Sequence, residues 1–340
     1  MKLPLSSALA LTLLPAAAFA QTKAPQPIAV LHPDDYHHYV DQFAADEREA
    51  TGQQPADEWP WITANIPFFN SSNKQFEEMY YFRWYSFQKH IEQTAEHGYL
   101  ITEWLHRPDL PQNGVLPDAA PFHLGEARWL RDRTIAEDYA RFWGSPDAKP
   151  RNYSFPFAWS VQLVTEATGD PRLGADLLSA LIANYKGWDD HLDPAVGMYW
   201  QIDTRDAMEK SIGGDGYRTP LNSYMLADAR AIADFARGSQ QSAVSAEYDA
   251  KAGALEHLIE TKLWNPKDEF YEDLSPAADS GIRKEKRFKD PGTQLQFAGV
   301  RELIGYIPWQ FYAPTPSHAI AWKQLFSPQG FAGKFGPTTA

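Results

Sequence analysis

The chain has 340 residues, a net charge of −13 and no cysteine. These figures exclude a disulfide framework and any thiolate metal site, and they disfavour nucleic acid and anionic membranes as partners. The length allows one large domain or two small ones, and 12 Trp, 16 Tyr and 19 Phe suit either an aromatic core or rings that stack on the apolar C–H faces of sugars.

The N-terminus carries Lys2, an apolar run over residues 8–18, and Ala18-Phe19-Ala20 before Gln21. That is the pattern of a secretory signal peptide over residues 1–20. The apolar run is too short to span a bilayer, and no later stretch is long and apolar enough. Loss of Lys2 would take the net charge from −13 to −14, and the expected location is periplasmic or extracellular. Residues 21–60 read as a polar, Pro-containing leader, and residues 61–340 as one helical domain.

Within that domain the apolar spacing is helical. A helix is predicted over 74–96, carrying Phe76, Tyr80, Trp84 and Phe87. A second covers 126–143, with Trp129, Leu130, Ile135, Tyr139 and Phe142. A third, over 155–168, stops at Gly169-Asp170, and Pro171 opens the next helix at a first-turn position. That helix presents Leu173, Leu177, Leu181 and Tyr185. A short strand pair is allowed near 199–202. Leu221, Met225, Ala229, Ile232 and Ala236 then mark a helix ending at Gly238, and Val244, Tyr248, Leu255, Ile259 and Leu263 mark its partner. Roughly four helix pairs follow one another with no strict repeat, which argues against a solenoid. Long loops after every second helix fit a ring of hairpins with its loops gathered on one face.

The densest chemical cluster spans 188–222. It holds Asp189, Asp190, Asp193, Asp203, Asp206, Glu209 and Asp215 among Trp188, Tyr199, Trp200, Tyr217, Arg205 and Arg218. Gly213, Gly214 and Gly216 let the backbone turn between them. Glycoside hydrolysis needs such a mix: one carboxylic acid protonates the leaving oxygen, and a second activates water or attacks the anomeric carbon. The bland alternatives are solvated loops and turn or helix caps. A calcium loop is not supported, because the D-x-D-x-D-G spacing is not met. No metal and no other cofactor is expected.

The run DTRDAMEKSIGGDGYRTPLNSYMLADA resembles the central motif of six-hairpin glycosidases of the trehalase, glucosidase I and mannosylglycerate-hydrolase clan. Ala207-Met208-Glu209-Lys210-Ser211 matches the acid-bearing part and Leu221-Asn222-Ser223-Tyr224-Met225 the start of the next helix. The sequence departs from relatives at Ala207, at Lys210 and at Thr219-Pro220. Lys210 beside the acid favours its ionised form, the opposite of what a general acid needs. YYFRWYSFQKHI (80–91), HLGEARWLRD (123–132) and the stretch 311–340 resemble further segments of the same group in the same order.

The resemblance implies an all-α fold, an (α/α)6 toroid of helical hairpins, and an inverting glycoside hydrolase acting on a poly- or oligosaccharide. It implies Glu209 as the general acid, with Asp206 the second residue of the catalytic set. Asp203, Arg205 and Asp206 would line the subsite at the cleaved bond. Tyr217, Arg218 and Asn222 would support or contact the sugar, and Trp200 would serve as platform or support. His123 and Glu126 would reach in from an earlier loop, against the plain reading of Glu126 as the first turn of a helix. Trp59, Trp61, Phe68 and Phe69 read as packing residues. About eight of twelve helices can be placed, so the toroid is expected to be incomplete at its C-terminus, with the second carboxylate beyond Ala340. Two other classes remain open on the sequence: a lyase or epimerase on the same fold, which the negative charge disfavours for uronate substrates, and a non-catalytic sugar-binding remnant. Oligomeric state and sugar identity are not encoded in these motifs.

Overall fold

The computed structural model describes residues 30–105, 114–206, 208, 210–276 and 295–340. The predicted signal peptide and Glu209 lie outside the described residues. The fold is an all-α toroid of helical hairpins, trimmed by two-stranded ribbons.

Three helices form an inner row. α4 (Ala120–Ala127) packs on α6 (Phe157–Thr168), and α6 packs on α8 (Thr219–Gly238). Behind them stand α5 (Arg133–Trp143), α7 (Arg172–Lys186) and α9 (Ser242–Leu258). α3 (Lys74–Gln88) extends the row: Arg83 forms an ion pair with Glu126, and Phe87 meets His123 with ring centroids 6.4 Å apart. The short helix α10 (Ile307–Gln310) packs against α8.

The outer helix α5 buries one face, whereas the central helix α8 is covered on most sides. α5 buries Ile135, Ala136, Tyr139, Ala140, Phe142 and Trp143 along one stripe. In α8 nearly every side has a neighbour, and Leu226, Ala229, Ala231, Ile232 and Ala233 are fully buried. Small Ala side chains let the flanking helices approach closely, and each large apolar residue so buried contributes about 1.5–3 kcal/mol. α6 has no side-chain cap of its own. Its first turn is satisfied from α8, where the buried Asp228 carboxylate accepts from the Trp159 amide at 3.0 Å and from the amides of Ala158 and Phe157. Burial pushes that carboxyl up to about 8, against the pull of these donors.

Several predicted boundaries shift. The helix expected over 74–96 ends at Gln88, and its last residues form a ribbon, β1 (Ile91–Thr94) with β2 (Gly98–Ile101). The helix expected over 126–143 is two helices, α4 and α5, broken where Asp132 caps α5 by accepting from the Thr134 amide at 3.0 Å. Glu126 therefore sits in the last turn of α4, which corrects its reading as a first-turn residue. The stretch read as a polar leader contains α1 (His37–Thr51), which buries Tyr39, Val40 and Phe43 against α3, and the start of α2 (Trp59–Asn65). Trp59, Trp61 and Phe68 pack on the core. The strand pair near 199 is β3 (Leu192–Asp193) with β4 (Met198–Tyr199).

Candidate functional site

The segments that lead into the inner helices meet through backbone hydrogen bonds. The Ser154 amide, just before α6, donates to the Arg205 carbonyl at 2.8 Å. Tyr217, just before α8, exchanges bonds with Leu274: its amide donates at 2.9 Å and its carbonyl accepts at 3.2 Å. Gln201 pairs with Gly216 in the same way, at 2.8 and 3.0 Å. Glycine is required here, since a Cβ on Gly216 would stand 2.2 Å from the Leu274 carbonyl oxygen. The acidic segment of the sequence is thus paired with itself and tied to two others, at Ser154 and at Leu274.

Beneath it lies a buried charge cluster. The Arg218 side chain is wholly excluded from solvent; Nε donates to Asp206 Oδ2 at 2.9 Å and Nη1 lies 3.0 Å from Asp273 Oδ2. Burial alone would drive the guanidinium toward neutrality, but the charges of Asp273 and Asp206 outweigh it and hold its pKa up. The two carboxyls are pushed up by burial with Arg218 opposing, Asp273 to about 6. Asp273 also accepts from the Thr219 amide at 2.7 Å, at the start of α8. Its neighbour Glu272, pushed up by burial to about 7, accepts from Asn265 at 3.1 Å and from the Gly299 amide at 3.0 Å.

The predicted site residues divide into two groups. Asp206, Arg218, Tyr217, Asn222 and Trp200 come together, but all are buried. The Tyr217 hydroxyl donates to Asp193 at 2.6 Å. Asn222 clamps Tyr199 by accepting from its amide at 2.9 Å and donating to its carbonyl at 2.8 Å. Trp200 stacks on His191, with centroids 4.5 Å apart. These side chains build the floor under the loop, each buried and bonded to or stacked on a neighbour. Asp206 belongs with them, buried against Arg218. Asp203 and Arg205 lie higher. Asp203 is half-buried, its amide bonded to Asp215 at 3.0 Å, and Arg205 is exposed. Lys210 is exposed too, where solvent screens its effect on a neighbouring acid.

His123 and Glu126 separate on α4. His123 turns to the Tyr139 hydroxyl at 3.2 Å, and burial, helped by His90, lowers its pKa to about 4. Glu126 lines a hollow of about 380 Å³ among the inner helices, with Arg83, Trp129, Trp159, Tyr224 and Gln310. Burial raises the Tyr224 hydroxyl pKa, reinforced by the charges of Asp206 and Asp118, and Tyr224 follows the floor residue Asn222 by two positions on α8. A second cleft of about 470 Å³ lies between the segments before α4 and α6, lined by Trp104, Trp143, Lys149, Asn152 and Tyr153. Tyr153 adjoins Ser154, the residue bonded to Arg205. Sequence reading missed Asp273, Glu272 and Glu302. Glu272-Asp273 had a signal, two acids side by side next to the apolar Phe270-Tyr271; Glu302 had none.

Among the described residues, no group of three or more His, Asp or Glu side chains could hold a metal ion, and no helix is long and apolar enough to cross a membrane. The family model of the mannosylglycerate hydrolase MGH1-like glycoside hydrolase domain matches residues 112–340, the stretch that contains the inner row and the floor. The chain belongs to this family. A solved structure described as a sialidase is similar over 91% of the chain, at 30% identity and a TM-score of 0.78, and the chain spans 28% of that protein's length. No curated protein matches the chain. Membership in the MGH1-like family makes residues 112–340 a glycoside hydrolase domain by family.

Proposed function

We propose that the chain is an exported, inverting glycoside hydrolase of a poly- or oligosaccharide, with Glu209 as its general acid. The observation that carries the reading is the anchoring of the acid-bearing loop on both sides of Glu209. On one side the Met208 amide bonds to the Asp206 carbonyl at 2.6 Å, and on the other Ser211, Ile212 and Gly213 bond to Glu302. A general acid works only within hydrogen-bond reach of the oxygen it protonates, and these bonds hold the described residues that flank it.

Asp203 and Arg205, at the level of the loop surface, bind sugar hydroxyls in this account. Trp200, Tyr217, Arg218, Asn222 and Asp206 keep the floor rigid. Glu126 and the rings of Trp129 and Trp159 offer one wall, and the cleft at Trp104 and Tyr153 offers another. Inversion asks for an acid and a base about 6.5–9.5 Å apart with water between them. Export follows from residues 1–20, with cleavage after Ala20.

The test is reducing-sugar release across a panel of plant and microbial glycans, with the anomer of the first product followed by NMR. Glu209→Gln is expected to lower turnover by about 10²–10⁴-fold, the usual contribution of general acid catalysis. A variant as active as the parent removes Glu209 from the role, and first-formed product of retained configuration removes inversion.

A further inference from the structure

We infer that Glu302 is a positioning residue for hydrolysis, holding the acid-bearing loop in register from 89–91 residues away in sequence. The inference rests on the assignment of Glu209 as the acid. Glu302 is 4% exposed, so it lies under the loop and does not face a substrate. Its Oε2 accepts from the Ser211 hydroxyl at 2.6 Å and from the Gly213 amide at 3.3 Å, while Oε1 accepts from the Ile212 amide at 2.8 Å. One carboxylate thus fixes three consecutive residues, beginning two positions after Glu209.

The turn is held from its other side as well. Arg218 Nη1 donates to Ser211 Oγ at 3.1 Å and to the Gly214 carbonyl. Ser211 therefore relays between the arginine and Glu302, and Gly214 takes a left-handed φ of 72° to complete the turn. The fit leaves no slack, since a Cβ on Gly213 would lie 2.9 Å from Glu302 Oε2. Glu302 is itself fixed, because its carbonyl accepts from the Gly305 amide at 2.8 Å in the turn that leads to α10. Carboxylate acceptors of two amides and a hydroxyl form strong, charge-assisted bonds. Gln in place of Glu302 keeps the size but turns one acceptor into a donor, which then faces donors.

A staple that only stabilises the fold would slow every substrate alike. A residue that aims the acid affects substrates in proportion to their need for protonation. The experiment uses the full chain and the 4-methoxyphenyl and 2,4-dinitrophenyl glycosides of the sugar released in the glycan panel. The first leaving group needs an acid and the second does not. Glu302→Gln is expected to lose up to about a hundredfold in kcat on the methoxyphenyl glycoside, the scale of a misplacement near 1 Å, with little loss on the dinitrophenyl one and KM nearly unchanged. The Ile212 and Gly213 amides should exchange faster in the same variant. Equal loss on both glycosides, or no loss, overturns the inference. If Glu302→Gln does not fold, Ser211→Ala is expected to show the same selectivity at smaller amplitude, and absence of selectivity there counts equally against it. Glu209→Gln run in parallel separates the two ideas. If it shows no leaving-group selectivity, the acid assignment fails. If it does and Glu302→Gln does not, only the positioning role fails.

Discussion

The inner helix row and the floor beneath the acidic loop are built from opposite materials. The row is held by apolar side chains of neighbouring helices, with Leu226, Ile232 and the Ala side chains of α8 at its centre. The floor is held by buried charge: Arg218 between Asp206 and Asp273, and Glu302 against three donors. Packing tolerates small losses, because neighbours relax into part of the space. A buried ion pair does not, because removing one partner strands the other in a low-dielectric site. The same chain therefore places a forgiving scaffold next to an unforgiving site.

The largest expected effect lies in the floor. Arg218→Met leaves Asp206 and Asp273 buried without a counter-charge and should destabilise the domain by about 3–5 kcal/mol. Thermal or urea unfolding measures it, and a loss under 1 kcal/mol would mean that the floor is softer than the burial of Arg218 indicates.

An intermediate effect is expected where the two materials meet, at Asp228. Asp228→Ala leaves the first amides of α6 without their acceptor and should cost about 1–3 kcal/mol. This carboxyl also sets a pH signature. Its folded pKa, raised to about 8 by burial, lies above the ordinary value, so the native state binds the extra proton between pH 4 and 8. Stability is then highest at the acidic end of that window for this group and falls as pH rises through it. Asp228→Asn, which still accepts from an amide, should flatten that fall. A melting temperature with the same pH slope in parent and Asn variant would contradict the shift. The smallest effect belongs to the row, where Ile232→Val should cost about 0.5–1.5 kcal/mol and leave turnover unchanged.

The same division governs what could be read from the amino-acid sequence. The row was legible: Leu221, Met225, Ala229, Ile232 and Ala236 have helical spacing, and α8 runs from Thr219 to Gly238 as that pattern predicts. The ends of α3 and α4 were less so. The ribbon at Ile91–Thr94 is four residues long, too short for alternation to compete with the helical signal before it. The break at Asp132 is a capping event inside one apolar pattern. In the site, residue types and local order drew attention to 201–229, but the roles within it depended on burial. Asn222, Tyr217 and Asp206 have the chemistry of sugar-binding groups, and their depth is not visible in the local pattern. Asp273 and Glu302 join the site from 55 and 84 positions beyond Arg218, a distance across which no periodicity operates.

Glu209 is proposed as the acid, and the residues that follow it, Ser211 to Gly214, are held by Glu302 and Arg218. The most direct measurement is the turnover of Glu209→Gln against the parent on the glycan that the parent cleaves, with unfolding temperatures recorded beside it. The account predicts a fall of about 10²–10⁴-fold with the two unfolding temperatures alike, since the floor contacts remain. Undiminished turnover, or a fall that merely follows a loss of folded protein, would contradict it.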